Sequence, residues 1–256
     1  MLPFLYFASK IQPNKSSLSM KYVKITLKSL LALILFLGLS VVGIYYSYDQ
    51  KLPQGTQGVG ADRLANKMLD AMNYQAYKEL NYIAWTFSSR GRGRSYKWYK
   101  NQGLCKVLWD SISVDLNIKA LKKSSVQVNG SVYTGEMKDD FIRTAEAKFN
   151  NDSFWLVAPY KLFDTGVERR LVKRDNGENA LLVTYKSGGS TPGDSYLWLL
   201  DKHYRPRAFQ MWVSILPIGG IEASWEQWEK TAQGAYFPRF HQLSVLDLEI
   251  TGLKVY

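Results

Sequence analysis

A chain of 256 residues with 33 Lys and Arg against 22 Asp and Glu is long enough for one sizeable domain and carries a formal charge of +11. The basic residues are scattered among acids, and Arg90-Gly91-Arg92-Gly93-Arg94 is the one dense cluster, so there is no basic stripe of the kind a nucleic-acid binder needs. A single cysteine, Cys105, excludes an intrachain disulfide, and two histidines without paired cysteines exclude the common zinc spacings.

The first informative element is the run Ser29–Tyr48, which holds no charge. As a helix it spans about 30 Å, the thickness of a bilayer's hydrocarbon. Lys10, Lys15, Lys21, Lys24 and Lys28 precede it, and no Asp or Glu occurs before Asp49. That bias predicts a cytoplasmic basic tail over 1–28, a transmembrane signal-anchor over 29–48, and export of everything after it. Tyr45, Tyr46 and Tyr48 fall where amphipathic rings favour the membrane interface. A cleaved signal peptide is the alternative, but the run is longer than a signal core, and Ile44–Tyr48 is bulky where cleavage needs small residues. No Cys stands directly after the run, so a lipoprotein-type acylated N-terminus is not expected. Five lysines precede the anchor, which leaves 28 basic against 22 acidic residues beyond it. That mild surplus suits anionic headgroups.

A Pro/Gly/Gln linker over 49–60 comes next, followed by one domain over 61–256. Leu64, Ala65, Met68, Leu69 and Met72 fall at helical spacing, which predicts a helix over Asp62–Met72 with Asp62 at the N-cap. A weaker helical turn covers Tyr74–Leu80. From Asn81 the period changes to two. Strands are predicted at Asn81–Arg90, Ser95–Lys100, Leu104–Asp110 and Ser113–Ile118, with another over Val126–Val132 around Asn129-Gly130. Cys105 lies inside the third and reads as a small buried hydrophobe. Met137–Phe149 reads as a helix that continues irregularly through Asp152–Leu162 and ends at Pro159. Strands resume at Val167–Lys173, Ala180–Lys186, Ser195–Asp201, Pro206–Val213, Ile221–Thr231 and Tyr236–Leu248, with Thr251–Val255 as a tail.

Many antiparallel strands with few helices predict a mainly β, α+β fold: a strongly curved, incomplete antiparallel β-barrel closed by helices. Aromatic residues make up 14% of the chain, which suits a large apolar interior. The candidate lining and lid of an acyl-chain cavity are Trp85, Phe87, Trp98, Phe141, Ile142, Phe154, Trp155 and Leu156. The same residues also read as plain core. Arg90, Arg92 and Arg94 alternate, so a continuous strand puts all three on one side, as a solvated edge or as a rim that binds a headgroup phosphate.

Catalytic signatures are missing from the sequence. It has no Gly-x-Ser-x-Gly elbow and no His-Glu-x-x-His. Gly188–Asp194 lacks the Gly-Lys-Ser/Thr of a phosphate loop and reads as a hairpin connection. No catalytic residue, metal or cofactor is therefore expected, and a hydrolase using His203 or His241 is the least favoured reading.

Several stretches carry a family resemblance. They are Phe154-Trp155-Leu156-Val157-Ala158-Pro159-Tyr160-Lys161-Leu162, then Thr191-Pro192-Gly193-Asp194-Ser195-Tyr196-Leu197-Trp198-Leu199 with Asp201, then Trp225-Glu226-Gln227-Trp228 and Gly234-Ala235-Tyr236-Phe237-Pro238. Their order resembles the LolA/LolB-like superfamily, in particular the outer-membrane lipoprotein-sorting-protein relatives, over about residues 59–256. The resemblance implies a helix-closed half-barrel that holds acyl chains of a lipoprotein or lipid. Two departures stand out: carriers of that family are soluble, whereas this chain reads as tethered, and its acceptors are acylated on an N-terminal Cys. The expectation is a single-pass bacterial inner-membrane protein whose C-terminal domain binds acyl chains in the periplasm, in outer-membrane lipoprotein or lipid trafficking, with a protein partner to hand. The alternative is a non-enzymatic interaction module whose barrel is filled by its own side chains.

Overall fold

The computed structural model describes residues 15–188, 191–244 and 246–256. The first part of the basic tail, including Lys10, and Gly189-Ser190 of the connection before the ninth strand lie outside the described residues. The chain divides into two compact units, Met1–Asp49 and Gln50–Tyr256.

In the first unit, helix α1 covers Lys15–Tyr48. Its stretch Tyr22–Ser40 is long and apolar enough to cross a membrane, and none of that stretch is buried against protein.

The second unit begins with helices α2 (Val59–Ala71) and α3 (Tyr74–Glu79). The predicted apolar stripe is the buried one: Leu64, Ala65, Met68 and Leu69 all face the core. The N-cap differs from expectation. Gly58 holds it, and Asp62 sits in the first turn, where its carboxylate accepts a hydrogen bond from Arg169 Nε at 2.7 Å. A carboxylate in that position still meets the positive end of the helix, so its sequence signal was displaced by one turn.

Strands β1 (Tyr82–Ser89), β2 (Arg92–Tyr99), β3 (Leu104–Trp109), β4 (Ile112–Asn117), β5 (Ser125–Val128) and β6 (Ser131–Val132) form an antiparallel meander. The predicted strand over Val126–Val132 is a hairpin, because Asn129 and Gly130 both take positive φ, 52° and 79°, and reverse the chain. Helix α4 (Lys138–Val157) then runs without the expected break and closes in a 3₁₀ turn at Ala158–Tyr160. Next come β7 (Val167–Lys173), β8 (Asn179–Tyr185), β9 (Ser195–Leu200) and β10 (Pro206–Trp212).

The last two predicted strands are subdivided. Ile221–Thr231 becomes β11 (Ile221–Ser224) and β12 (Glu229–Lys230), with Gln227 between them at φ 53°. Tyr236–Leu248 becomes β13 (Tyr236–Phe237), β14 (Phe240–Leu243) and the start of β15 (Leu246–Val255), which also absorbs the predicted tail. The apolar spacing slips at each break, from Trp225 to Trp228 and around Pro238, and the strands end there.

Among the described residues the strands make three antiparallel sheets, none closed: β14-β15-β1-β2-β3-β4-β5-β6, β11-β10-β9-β8-β7, and β12-β13. The expected barrel is therefore present only as open sheets. A bridge between Glu226 and Phe240 links the chain just past β11 to β14. Pairing of β15 with β1 brings the last strand beside the first, with Phe87 opposite Ile250. One core cluster joins α2, α3 and α4 to inward residues of both large sheets, among them Trp85, Val107, Leu181, Trp198 and Phe209. The five-stranded sheet is also buried on its other face, where Val172, Ala180, Leu182, Leu197, Leu199 and Ala208 meet Trp212. The segment following Gln50 lies on that second face. A Cβ on Gly55 would come within 2.9 Å of Val172 Cγ2, so only glycine allows the approach.

Candidate ligand-binding site

Helix α4 touches both large sheets through its aromatic side chains. Phe149 meets Trp98 on β2 edge-to-face at 5.3 Å. Phe154 packs on Tyr185 of β8 and Tyr196 of β9, with centroids 5.6 and 4.7 Å away. Trp155 lies 5.3 Å from Phe209 of β10, 6.3 Å from Trp225 and 5.1 Å from His241 of β14. Phe141, near the other end of the helix, meets Tyr133. Period 3.6 puts Ile142, Ala145, Phe149, Asp152 and Leu156 on the buried face, while Phe141, Phe154 and Trp155 flank it half-buried.

One charged contact stands in this apolar seam. Asp152 is buried, with 1% of its side chain exposed, and accepts hydrogen bonds from Arg94 Nε at 2.6 Å and Arg94 Nη2 at 3.0 Å. The hydroxyl of Tyr96, two residues further along β2, donates to the same carboxylate. Burial, together with the negative charge of Asp152, pushes the Tyr96 hydroxyl far up, so it stays a donor.

The arginine cluster is therefore divided. Arg90 is not on a strand: with Gly91 it forms the turn between β1 and β2, at φ 50° and 73°. Such a two-residue turn needs positive φ at both positions, which overrode the expected continuation of the strand. Arg92 and Arg94 do alternate on β2. Arg94 is committed to Asp152 and stacks over Phe87 at 5.2 Å, while Arg90 and Arg92 are exposed.

The other candidate lining residues lie on β1 and β2 of the eight-stranded sheet and on α4 itself. Trp85 stacks on Tyr96 at 4.6 Å and is 2% exposed. Phe87, Ile142 and Leu156 are buried in the same core cluster, and Trp98, Phe141, Phe154 and Trp155 pack against it. A shallow pocket of about 480 Å³ lies elsewhere, lined by Arg63, Lys67, Leu171, Leu200 and Tyr204 among others.

Sequence reasoning missed the polar atoms inside the aromatic cluster. The indole nitrogens of Trp85, Trp198 and Trp225 and the hydroxyl of Tyr185 are buried without a hydrogen-bond partner. Burial also pushes the Tyr185 hydroxyl far up, so it keeps its proton. Nothing in a sequence marks a tryptophan N–H as unpaired; only the packing does. Asp152 was likewise read as part of an irregular helix, although its place one turn before Leu156 on the buried face was a usable signal.

His203 is exposed in the turn before β10, where its backbone N–H donates to Asp201. His241 is fully buried on β14 and its Nδ1 lies 2.9 Å from Ser224 O, which fixes an Nδ1–H donor. Among the described residues, no group of three or more His, Cys, Asp or Glu side chains is arranged to hold a metal ion.

No protein-family profile matches this chain, and no curated protein does. Solved structures similar to it include the following two. One is a DUF1329 family protein from Desulfovibrio piger, with 9% identity, 76% of this chain and 92% of that chain covered, and a TM-score of 0.38. The other is a putative outer membrane lipoprotein-sorting protein domain from Vibrio parahaemolyticus, with 12% identity, 75% and 93% covered, and a TM-score of 0.38. The second is of the kind that the sequence resembles.

Proposed function

We propose that this protein is a membrane-anchored binder of acyl chains, those of a lipoprotein or of another lipid, with its domain on the periplasmic side of a bacterial inner membrane. The observation that carries this reading is the set of orphaned donors around α4. Trp198, Trp225 and Tyr185 each hold a buried N–H or O–H with no acceptor, at about 1–3 kcal/mol apiece. The ester or amide carbonyl at the head of an acyl chain supplies such an acceptor, and the aromatic walls receive the methylenes. Ten buried methylenes contribute about 8 kcal/mol, so affinity needs no conspicuous polar motif.

Helix α4 fills the interior and would yield part of it on binding. Trp85, Phe87, Trp98, Phe141, Ile142, Phe154, Trp155 and Leu156 then face the chain, and the free guanidiniums of Arg90 and Arg92 meet the headgroup. The activity is binding and transfer, with no covalent step.

A second reading has its own observation. Trp85, Phe87 and Leu156 are buried by the protein's own atoms in one continuous core, which favours an interaction module with a filled interior. Native mass spectrometry of the chain purified from a bacterial host separates the two. Co-purified lipid, lost when Trp155 or Phe154 is replaced by Asp in a folded variant, is expected for the binder. A lipid-free mass spectrum, together with no uptake of a fluorescent fatty acid, would sink the first reading and leave the second.

A further inference from the structure

The pocket of about 480 Å³ beside α2 is lined by three cations, Arg63, Lys67 and Lys202. Arg63 and Lys67 stand one turn apart on the exposed side of the helix, a spacing at which like charges repel. The acids of α2 leave them unneutralised. Asp62 is bonded to Arg169 at 2.7 Å, and no ion pair joins Lys67 to Asp70 among the described residues.

Two carboxylates also line the pocket, and both are already engaged. Glu178 accepts from Asn176 at 2.9 Å and pairs with Arg174 at 3.3 Å and Arg207 at 3.5 Å. Asp201 spends one oxygen on the backbone N–H groups of His203 and Arg205, at 2.8 and 2.9 Å. With Arg174 and Arg207 included, the basic groups around the pocket outnumber the acidic ones.

The Asp201 turn places Tyr204 at φ 63°, and Lys67 Nζ donates to the Tyr204 hydroxyl at 2.9 Å. The hydroxyl accepts that bond, so its own hydrogen is left for another acceptor, and Lys67 keeps two further N–H donors. The pocket thus gathers a guanidinium fork, two ammonium groups and a hydroxyl, all able to donate.

We infer that this pocket is a phosphate-ester site, separate from the apolar interior around α4. Arg63 and Lys67 hold the phosphate oxygens, Lys202 adds charge, and Tyr204 adds a neutral donor. A phosphate matches this set better than a carboxylate, because it offers more oxygens and can carry two charges to a fork and two point charges. The volume falls in the roughly 300–1,000 Å³ range of small-molecule clefts and leaves room for an organic group. Leu171 and Leu200, half-buried in the wall, give that group apolar area. The ester is a lipid headgroup or a soluble organic phosphate, and the site stands whether or not the α4 interior binds acyl chains.

Isothermal titration calorimetry of the full chain in a neutral detergent, at fixed ionic strength, tests the site. The probes are phenyl phosphate, a soluble monoester, and glycerophosphoglycerol, the deacylated headgroup of phosphatidylglycerol. At least one is expected to bind at one site per chain. Arg63→Gln and Lys67→Gln should each weaken binding about tenfold or more, the worth of a charge-assisted hydrogen bond. Lys67→Arg should keep it, and so should Lys97→Gln, at an exposed position on β2 of the other large sheet. Both glutamine variants alter exposed helix positions, and a parent-like urea midpoint confirms that they fold. Preference for glycerophosphoglycerol assigns the site to lipid headgroups, and preference for phenyl phosphate assigns it to soluble esters. Binding of neither probe, equal binding by the glutamine variants and the parent, or tighter binding of a tetraglutamate peptide than of either ester would overturn the phosphate site.

Discussion

Replacing Asp152 with Ala probes how α4 is held in place. The carboxylate is buried and accepts two bonds from Arg94 and one from Tyr96, so its removal leaves a guanidinium and a buried hydroxyl unpaired. Breaking a buried ion pair by deleting one partner costs about 3–5 kcal/mol. Arg94 keeps 23% of its side chain exposed and can turn toward water, which sets its share near the lower end, at about 3 kcal/mol. The stranded Tyr96 hydroxyl adds about 1 kcal/mol.

The expected loss of about 4 kcal/mol is a large part of the roughly 5–15 kcal/mol that holds a domain folded. Urea unfolding of Gln50–Tyr256, followed by circular dichroism, reads it as a fall of about 1.3–2 M in the midpoint, with m near 2–3 kcal/mol/M. The paired apolar replacement Arg94→Met with Asp152→Leu is expected to regain most of that loss, because no uncompensated charge stays behind. A midpoint for Asp152→Ala within about 0.5 M of the parent would refute the reasoning. The desolvation of the pair would then cancel its attraction, and aromatic packing alone would hold the helix.

Three further outcomes follow from buried polar groups. Tyr160 Oη lies 2.6 Å from Tyr236 O and accepts from Tyr236 N–H at 2.9 Å, so Tyr160→Phe should cost about 2 kcal/mol in the same unfolding assay, with the Tyr77 ring stack at 4.0 Å retained in near-UV circular dichroism. Burial pushes the Cys105 thiol far up, so it should resist Ellman's reagent in the native chain and react fully in urea; rapid native reaction would contradict its place in the core. Burial lowers His241 to about 4 from its usual 6.5, so the folded protein keeps it neutral where the unfolded chain protonates it. Stability should therefore be flat above pH 6.5 and fall as pH drops toward 4, by up to about 3 kcal/mol from this group. His241→Gln should remove that part of the slope, and an unchanged slope would show that other groups cause it.

Much of the fold was legible because its signals are local. The α2 stripe Leu64, Ala65, Met68, Leu69 repeats at helical spacing, and β7 occupies the predicted Val167–Lys173. Turn chemistry was read less well. Arg90-Gly91 was folded into an alternating pattern, although an X-Gly pair between two strands is itself a hairpin signal. The breaks inside Ile221–Thr231 and Tyr236–Leu248 were marked only by a slip in apolar spacing from Trp225 to Trp228 and by Pro238, which the strand prediction ran through.

The candidate site was legible as a set of aromatic residues but not as an arrangement. In the structure Trp85 and Phe87 share one face of β1, and Ile142, Phe149 and Leu156 share one face of α4. Which ring meets which depends on the strand order β14-β15-β1, where the end of the chain pairs with its first strand. No local pattern carries that information.

The amino-acid sequence by itself determined a charge-free helix behind a basic tail, a mainly antiparallel domain, and an interior rich in rings, because hydropathy, charge order and side-chain period act over a few residues. Only the tertiary structure decided that Arg94 belongs to Asp152 rather than to solvent, that three buried tryptophan N–H groups lack acceptors, and that Lys67 meets Tyr204. Each of these joins residues more than fifty positions apart or depends on what surrounds a single atom, and such facts exist only once the chain has packed.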